Sequence, residues 1–531
     1  MPLSSPPVVS DQFELNRPAA TGRLGIVSSQ HFSASEAGVE ILEAGGNAVD
    51  AAVATALALG VVEPWMSGIG GGGFMLVADS ETGAVHQIDS GMIAPMALDP
   101  ARYSLEAGAS GHDALFTWPK VIEDRNQIGA ESIAVPGAVS GLSTALARFG
   151  SGRFSWSDVL QPAIRLARQG LPVQWPATLE IAYSADSLRG FETSSAIYLP
   201  GGLPAVAPDA HAPHYRPMGA LPETLQQLAD AGARDFYEGA LAHALVGDLQ
   251  AAGSAISIDD MKRYEAKVTP ALAVPYRQTN VYLSHGYSGG PTFARALRQI
   301  TGTLDPRDGV TASAYVAWAD ALAEAYDYRL ANMGHAGDLT SNAASTTHLS
   351  VVDRNGNMVS LTNTLLERFG SRLTLPSTGV LMNNGMFWFD PRPGQPNSLA
   401  AGARPLSNMS PVIALKEGKP WFALGASGGR RIVPAGFQLT SLLADFGLSL
   451  EDAYRVPRID VSGGEDVLAD YRLNPTILEA LARRYKVTQS YDAAGMKEFA
   501  KPQSVMQGPG GMQFGMVSPG LAPALSLAAG A

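Results

Sequence analysis

Apolar and polar residues alternate along the first part of the chain in blocks that predict both strands and helices. Gly25 to Ser29 is predicted as the first strand, and from Ser33 the pattern changes to that of a helix. Ser33 is a suitable N-cap with Glu36 three residues on, and the helix is expected to end at Gly45-Gly46. A second helix should end before Pro64. It is apolar on nearly every side, so we expect it to be buried.

Two later stretches have the pattern of hairpins. Phe74 to Ala78 and Ala84 to Asp89 flank four turn residues and predict one antiparallel pair. Thr347 to Asp353 and Asn357 to Leu365 flank an Asn-Gly turn, which is the strongest short-range signal for a hairpin. The sequence therefore predicts antiparallel sheets.

The rest of the chain has either a helical pattern of apolar residues or no clear periodicity. Residues 130–260 predict a series of helices packed around a sheet. Residues 1–20, rich in Pro and Ser, predict a loose N-terminal arm. The Gly-, Ala- and Pro-rich tail from Gly508 onward is expected to be weakly structured at best.

Composition narrows the classes of function. Of 531 residues, 46% are hydrophobic and 16% charged, which is typical of a globular protein. The net charge is −12 and no run of Lys or Arg occurs, so nucleic acid is not an expected partner. The most apolar segment, Ala51 to Val62, is too short for a bilayer core of ~30 Å, and the N-terminus lacks the pattern of a secretory signal. We expect a cytoplasmic protein that does not bind membranes.

Metal and cofactor chemistry have little support in the sequence. There is no cysteine, and the nine histidines show no tight ligand spacing, so neither a metal site nor a cofactor is predicted. His348 is expected to be a strand residue satisfied by backbone hydrogen bonds. The run Gly68 to Gly73 fits G-x-G-x-x-G, but it follows a helix and precedes a strand, the reverse of a dinucleotide site. A close backbone approach that leaves no room for Cβ explains it better.

A serine nucleophile is one alternative. Gly286 to Gly290 fits G-x-S-x-G around Ser288, after an apparent strand and before a helical run, as in a nucleophile elbow. Gly425 to Gly429 fits the same pattern. A nucleophile elbow needs a mostly parallel sheet, whereas this chain predicts hairpins. A serine hydrolase using Ser288 and a catalytically silent binding protein both stay open.

Six blocks of sequence, in a fixed order, resemble a known family. They are AGGNAVDAAVATALALGVVEPWMSGIGGGGFML, AVPGAVSGLSTALARFG, TTHLSVVDRNGNMVSLTNTL, LMNNGMFWF, RPLSNMSP and GASGGRRI. Over roughly residues 20–460 the chain resembles the γ-glutamyltransferases, or glutathione hydrolases, among the N-terminal-nucleophile hydrolases. The resemblance implies an α+β fold, a four-layer αββα sandwich with antiparallel sheets.

The resemblance also implies self-processing. One precursor would be cut between Ser345 and Thr346 into a large subunit, residues 1–345, and a small subunit, residues 346–531, which stay together. A dimer of these heterodimers is left open. Thr346 would then be the nucleophile, and its new α-amine would be the base, since the pKa of a free α-amine is ordinarily about 7.7–8.0. Burial is expected to keep that pKa near or below its ordinary range.

Other site residues follow from the family's motifs. Thr364 would support the nucleophile's hydroxyl, although by itself it indicates only a β-branched strand residue. The N–H groups of Gly428 and Gly429 would form the oxyanion hole, although by themselves they indicate a turn.

The substrate pocket departs from the family's pattern. In the family, an arginine binds the glutamyl α-carboxylate, and Gly91 stands at that position here. An aspartate binds the α-amine, and Trp388 stands at that position here. An asparagine expected two places after Thr364 is Leu366. Ser407 remains, beside Asn408 where the family commonly has a second serine.

These losses shift the expected substrate. Each charge-assisted contact is worth about 1.5–3 kcal/mol, so γ-glutamyl binding should suffer. The sequence predicts a self-processing amidohydrolase acting on a small-molecule amide, nearer to cephalosporin acylase-like or oxamate amidohydrolase-like members, with a true γ-glutamyltransferase as the alternative. A substrate carboxylate is still compatible with nearby arginines, although salt bridges are the better explanation of each. These are Arg368, Arg372, Arg392, Arg404, Arg430 and Arg431.

Overall fold

The computed structural model describes residues 16–107, 118–208, 212–336, 347–463, 466–490 and 498–530. Ser345 and Thr346, the predicted cleavage point and nucleophile, lie outside the described residues.

The described ranges contain helices and strands in mixed order along the chain. The α-helices are α1 Phe32–Glu43, α2 Ala48–Val62, α3 Ala138–Phe149, α4 Trp156–Gln169, α5 Trp175–Leu188, α6 Glu192–Tyr198, α7 Leu221–Ala231, α8 Asp235–Glu238, α9 Ala240–Ala251, α10 Ile258–Arg263, α11 Gly290–Thr303, α12 Ala312–Asn332, α13 Ile432–Ala444, α14 Leu450–Arg455 and α15 Pro475–Ala482. The strands are β1 Ala20–Gly22, β2 Gly25–Ser29, β3 Gly72–Ala78, β4 Val85–Ser90, β5 Leu171–Pro172, β6 Tyr215–Arg216, β7 Lys267–Pro270, β8 Leu272–Tyr276, β9 Thr279–Leu283, β10 Thr347–Asp353, β11 Met358–Thr364, β12 Val412–Lys416, β13 Lys419–Ser427, β14 Ile459–Asp460, β15 Asp466–Asp470, β16 Lys486–Ser490, β17 Lys501–Gln507, β18 Gln513–Val517 and β19 Leu525–Ala528.

Two sheets of seven strands form the centre of the fold. One has the order β1-β18-β17-β13-β12-β9-β8 and the other β19-β2-β10-β11-β3-β4-β7. Every neighbouring pair in both sheets is antiparallel. Each sheet contains strands from before and from after residue 345, so neither part of the chain could complete a sheet alone.

The buried apolar residues lie in three main layers. Between the sheets, Ile26 and Val352 of one sheet pack against Ile413 and Val505 of the other. Helices α1 to α9 cover the outer face of the sheet that holds β10, and helices α11 to α15 cover the outer face of the sheet that holds β13. The architecture is the predicted four-layer αββα sandwich, because each sheet buries one face on the other sheet and one face on helices.

The first two helices are largely as predicted, with one error at the start. Helix α1 begins at Phe32 and its N-cap is His31, whose Nδ1 accepts from the N–H of Ser33, so the predicted capping box of Ser33 and Glu36 was wrong. Helix α2 is buried along nearly its whole length. It packs against α1 and α4, which explains why it has no polar face.

Both ends of the chain are more ordered than predicted. The tail from Gly508 onward was expected to be weakly structured, yet it contributes β18 and β19, one to each central sheet. At the other end, the Arg17 guanidinium donates to the carbonyl of Ala522 at 2.8 Å. The N–H of Ala19 donates to Glu451. The expected loose arm is therefore anchored from residue 17 onward, and residues 1–15 lie outside the described ranges.

The glycine run before β3 is a close backbone approach, as predicted. A Cβ added to Gly71 would lie 2.1 Å from the carbonyl oxygen of Thr364, and one added to Gly73 would lie 2.4 Å from that of Thr362. The run therefore fits against β11, at the end of the hairpin that precedes Leu366.

We expect Gly71→Ala to destabilise the fold and to disturb the end of β11. The new methyl group would meet backbone, which cannot rotate away, so the cost should be about 1–3 kcal/mol or more. Gly68→Ala is the matched control, because an added Cβ there meets nothing within 4 Å. Thermal unfolding of the two variants checks this prediction, and equal unfolding temperatures would contradict it.

Candidate active site

The hairpin of β10 and β11 brings several predicted site residues to one end of a sheet. Thr347 pairs with Asn363 in the ladder, and Thr364 pairs with Gly72 on the other side of β11. The Thr364 hydroxyl is buried and accepts from the N–H of Leu366 at 2.7 Å. Its rotamer is therefore held by the turn that follows the strand.

That turn is strained at Leu366. Leu366 has φ of 87°, in the left-handed region that costs a residue with a Cβ roughly 1–2 kcal/mol. Asparagine, which the family resemblance led us to expect at this position, tolerates that conformation better than leucine does. The backbone at Leu366 therefore has a conformation that suits asparagine, while the side chain here is apolar.

The end of β13 lies against the same hairpin. The hydroxyl of Ser360 in β11 donates to the carbonyl of Leu424, and the ring of His348 fills the space where Gly425 lacks a side chain. The next residues, Gly428 and Gly429, have φ of 136° and 63°. Within the described ranges, neither of their N–H groups donates to another protein group. Two such donors at a turn are suited to an oxyanion.

His348 is buried between the sheets and is held by side chains, not by the backbone bonds that we predicted. One ring nitrogen bonds the hydroxyl of Thr362 and the other that of Ser350, each at 3.0 Å. Burial lowers the pKa of His348 to about 3, so the ring is neutral at pH 7. Burial likewise lowers the pKa of His31 to about 4.

These two histidines should make the protein less stable in acid. Their folded pKa values lie below the unfolded value of about 6.5, so their stabilisation is complete above that pH. This stabilisation is lost as the pH falls below 6.5, because the two histidines become protonated in the unfolded chain but not in the folded chain. At pH 5, the effect of His348 alone should lower the free energy of unfolding by roughly 2 kcal/mol.

We expect His348→Gln to reduce the fall in unfolding temperature between pH 7 and pH 5. His243→Gln, at an exposed position, should leave it unchanged.

The three positions that depart from the family's pocket lie around one apolar cluster. Leu366 and Trp388 belong to it, together with Phe74 and Met92. The Phe74 ring lies 3.5 Å from where a Cβ of Gly91 would be. Trp388 is only 1% exposed. The structure therefore brings the altered positions together and surrounds them with apolar side chains.

A guanidinium lies where the side chain of Gly91 is missing. Arg404 Nη1 is 3.5 Å from the Cβ position of Gly91 and 2.6 Å from Asp89 Oδ1. Both side chains of this ion pair are nearly buried. Asp89 also accepts from the N–H of Gly91. Arg404 is thus already paired with a carboxylate of the protein.

The other arginines around the site are mostly held in ion pairs. Arg431 is within 3.8 Å of Asp460, and Arg430 is buried with its pKa lowered by desolvation. The remaining pairs are Arg368 with Glu180, Arg372 with Glu367 and Arg392 with Asp390. Structural salt bridges, the better explanation from sequence, account for these pairs.

Ser407 and Asn408 lie in a buried turn beside the apolar cluster. The Ser407 hydroxyl accepts from the N–H of Met409 at 3.3 Å. Asn408 accepts from the buried guanidinium of Arg329, whose pKa is lowered to about 9 by desolvation. In the described part of the chain the Asn408 amide nitrogen has no hydrogen-bond partner.

The alternative nucleophile Ser288 lies in the wrong surroundings for an elbow. The strand before it, β9, pairs antiparallel with both β8 and β12. Ser288 is fully buried, and its hydroxyl accepts from the N–H of Gly290 at 3.2 Å. A nucleophile elbow instead exposes its serine at the top of a parallel sheet.

Glu63, which no sequence motif marked, lies beside the start of β10. It is 2% exposed, and its carboxylate accepts from the Thr347 hydroxyl at 3.1 Å. The available signal was an acidic residue directly after a helix that is apolar on all sides. Such an acid is buried with the helix and needs partners.

The described residues offer neither a metal site nor a membrane span. No group of three or more His, Cys, Asp or Glu in these ranges could hold a metal ion. No helix in them is long and apolar enough to cross a membrane.

Comparison with known proteins agrees with the fold. A crystal structure of cephalosporin acylase from Bacillus halodurans superposes with a TM-score of 0.85, covering 99% of both chains at 24% identity, which shows the fold alone. The Acylase ACY 1 proenzyme of Pseudomonas sp. (strain SE83) is 33% identical, over 92% of this chain and 91% of its own length. The Glutathione hydrolase proenzyme of Escherichia coli (strain K12) is 29% identical, over 93% and 90%.

The αββα sandwich and these relatives define an enzyme of the N-terminal-nucleophile hydrolase class. The family model for gamma-glutamyltranspeptidase matches residues 34–342 and 335–517. The chain belongs to the gamma-glutamyltranspeptidase family, whose members here are named as acylases and glutathione hydrolases. The resemblance seen in the sequence is confirmed.

Proposed function

We propose that this chain cuts itself between Ser345 and Thr346 and then hydrolyses an amide through an acyl-Thr346 intermediate. The register of the β10–β11 ladder is the observation that carries this proposal. Thr347, the residue after the proposed cleavage point, pairs with Asn363, and Thr364 directly follows Asn363 in β11. The buried Thr364 hydroxyl at this end of the ladder supports a role for it in the proposed chemistry.

The chemistry needs a base, a nucleophile and donors for an oxyanion. The free α-amine of Thr346 takes the proton of its own hydroxyl, which attacks the amide carbonyl. The N–H groups of Gly428 and Gly429 stabilise the oxyanion. The leaving amine departs with the proton, and water attacks the ester to release the acid and restore Thr346.

Before cleavage the same hydroxyl attacks the carbonyl of Ser345. An N→O acyl shift makes an ester, and water resolves it into two chains, residues 1–345 and 346–531. Because each central sheet contains strands from both chains, the two subunits stay together after the cut. The acylase and the glutathione hydrolase relatives are both named as proenzymes, which supports this step.

The pocket favours an acyl group other than γ-glutamyl. Leu366 and Trp388 supply apolar surface where the family has polar groups. The guanidinium beside Gly91 belongs to Arg404, which is already paired with Asp89. Ser407 and Asn408 are the polar residues left to orient the substrate. The 33% identity to an acylase supports the same choice.

The second candidate is a true γ-glutamyltransferase or glutathione hydrolase. The 29% identity to the glutathione hydrolase of Escherichia coli (strain K12) favours it. The guanidinium of Arg404 beside Gly91 is already paired with Asp89, which argues against it. A cytoplasmic location and a dimer of heterodimers stay predictions from the sequence, to be tested by cell fractionation and by the mass of the assembly in solution.

Trapping the acyl-enzyme tests the proposed chemistry. When the protein turns over a p-nitroanilide substrate and is quenched in acid, the acyl mass should appear on the peptide that begins at Thr346. Ser288→Ala should keep both the adduct and the activity within about threefold, because a buried serine outside the site contributes no transition-state contact. An adduct on the Ser288 peptide would establish the serine hydrolase instead.

A further inference from the structure

An ion pair lies at the edge of the apolar cluster, beside Gly91. Arg404 Nη1 is 2.6 Å from Asp89 Oδ1, and the two side chains keep only 10% and 13% of their surface exposed. The N–H of Ala94 donates to the carbonyl of Ala403 at 2.9 Å, which holds the segment of Arg404 against that of Gly91. The pair is therefore built into this part of the fold.

The contacts of Asp89 favour its ionised form. Both groups that contact its Oδ1 are donors, the guanidinium of Arg404 and the N–H of Gly91 at 2.9 Å. Donors and a neighbouring positive charge stabilise a carboxylate over the neutral acid. Arginine stays protonated in proteins. The pair thus carries one negative and one positive charge.

The two charges are nearly equidistant from the position where Gly91 lacks a side chain. From a Cβ placed on Gly91, Asp89 Oδ1 lies at 3.2 Å and Arg404 Nη1 at 3.5 Å. Their electrostatic potentials nearly cancel at that point, because each depends only on charge and distance. A carboxylate brought there would lose hydration without meeting a net positive charge, which is unfavourable. An uncharged group has less hydration to lose, and the Phe74 ring lies 3.5 Å from the same point.

We propose that the Asp89–Arg404 pair determines the substrate class by selecting amides whose acyl group is uncharged. The inference rests on the proposed function, because it names the acyl group for that reaction. Without Asp89, the guanidinium of Arg404 would be free to bind a substrate carboxylate. With Asp89 in place its charge is neutralised, and the surroundings keep the apolar character that Leu366 and Trp388 give them.

Three further groups near the pair do not change this balance. The Tyr264 hydroxyl donates to the carbonyl of Gly91 at 2.7 Å, and burial raises its pKa, so it is neutral at pH 7. Burial also raises the pKa of Tyr287, which interacts with both charges. Lys267 pairs with Asp89 across the β4–β7 ladder, but it is exposed, so solvent and salt screen its charge.

The relative hydrolysis of two p-nitroanilides measures this selection. The glutaryl compound ends in a carboxylate, and the pentanoyl compound has a methyl group in its place. We expect the wild-type protein to hydrolyse the pentanoyl compound with at least about tenfold higher kcat/KM. Asp89→Asn keeps the size and an acceptor oxygen but removes the charge. The ratio of glutaryl to pentanoyl kcat/KM should then rise at least about tenfold, as for a new charge-assisted contact.

Arg404→Gln completes a cycle of charge changes. Alone it leaves Asp89 negative and without its partner, so the ratio should fall below the wild-type value. Combined with Asp89→Asn it removes both charges and should return the ratio to within about threefold of wild type. A purely structural role of the pair would lower kcat/KM for both compounds together, and a ratio that stayed constant through the cycle would overturn the inference.

Asp445→Asn is the matched control for breaking a buried ion pair. The Asp445 carboxylate is fully buried and lies 2.7 Å from the guanidinium of Arg277, at the end of α13 that is far from Gly429. We expect a lower unfolding temperature and an unchanged ratio. An equal rise of the ratio in Asp445→Asn and Asp89→Asn would contradict the inference. If Asp89→Asn does not fold, the wild-type ratio decides, and a glutaryl compound hydrolysed as well as the pentanoyl compound overturns it.

The failure of this inference differs from the failure of the proposed function. An acyl adduct on the peptide that begins at Thr346, with a ratio that does not respond to Asp89→Asn, leaves the reaction in place and removes only the assigned substrate class. An adduct on another peptide removes the proposed function itself.

Discussion

Replacing Thr346 by alanine is expected to leave one uncut chain without amidase activity. The alanine side chain has no hydroxyl to attack the carbonyl of Ser345, so the N→O shift cannot begin. Without cleavage there is no free α-amine, and the base is lost together with the nucleophile. The loss in kcat should be at least about 10³-fold, as is usual when a catalytic nucleophile is removed.

Thr346→Ser is the matched control for this result. Serine keeps the hydroxyl but lacks the β-branch that restricts its rotamer, so cleavage and turnover should be slower and still present. Mass spectrometry and an amidase assay on the same preparations measure both effects. A Thr346→Ala protein that is cut, or that keeps more than a small fraction of wild-type activity, would refute the proposed mechanism.

The second large effect concerns the acyl group. We expect γ-glutamyl-p-nitroanilide to be hydrolysed at least about tenfold less efficiently than the best amide with an uncharged or single-carboxylate acyl chain, which is about 1.4 kcal/mol in transition-state stabilisation. The resemblance implies that Trp388 stands where the family has the aspartate that binds the glutamyl α-amine, and Gly91 where it has the arginine that binds the α-carboxylate. Arg404, the guanidinium nearest to Gly91, is neutralised by Asp89.

A graded series of substrates separates these two losses. Glutaryl-p-nitroanilide lacks only the α-amine of the γ-glutamyl compound, and the pentanoyl compound lacks the carboxylate as well. Succinyl and oxalyl amides vary the chain length at constant charge. The comparison is of kcat/KM with one leaving group throughout, and weak transfer to dipeptide acceptors is expected alongside. If the γ-glutamyl compound came out best, our interpretation of the pocket would be wrong.

The fold was largely predictable because its central signals are local. The Asn-Gly turn after Asp353 and the apolar run of α2 each lie within a short window, and both predictions were confirmed. The strands of the tail were missed because their signals are not local. Strand β18 pairs with β1 as well as with the neighbouring β17, and β19 pairs with β2, so both strands depend on partners from the start of the chain.

The candidate site was predictable only where a family motif marked it. Gly91, Leu366 and Trp388 are far apart in sequence, and their positions around one apolar cluster follow from the fold. Glu63 could not be found in the same way. Its partner Thr347 lies 284 residues away, and no periodic pattern connects a helix end to a strand start.

The mass of the purified wild-type protein, read together with N-terminal sequencing, tests the central claim most directly. We predict two chains, residues 1–345 and 346–531, that copurify, with the smaller one beginning Thr-Thr-His-Leu. A single full-length chain that hydrolyses amides would contradict the claim, because an active enzyme would then exist without a free amine on Thr346.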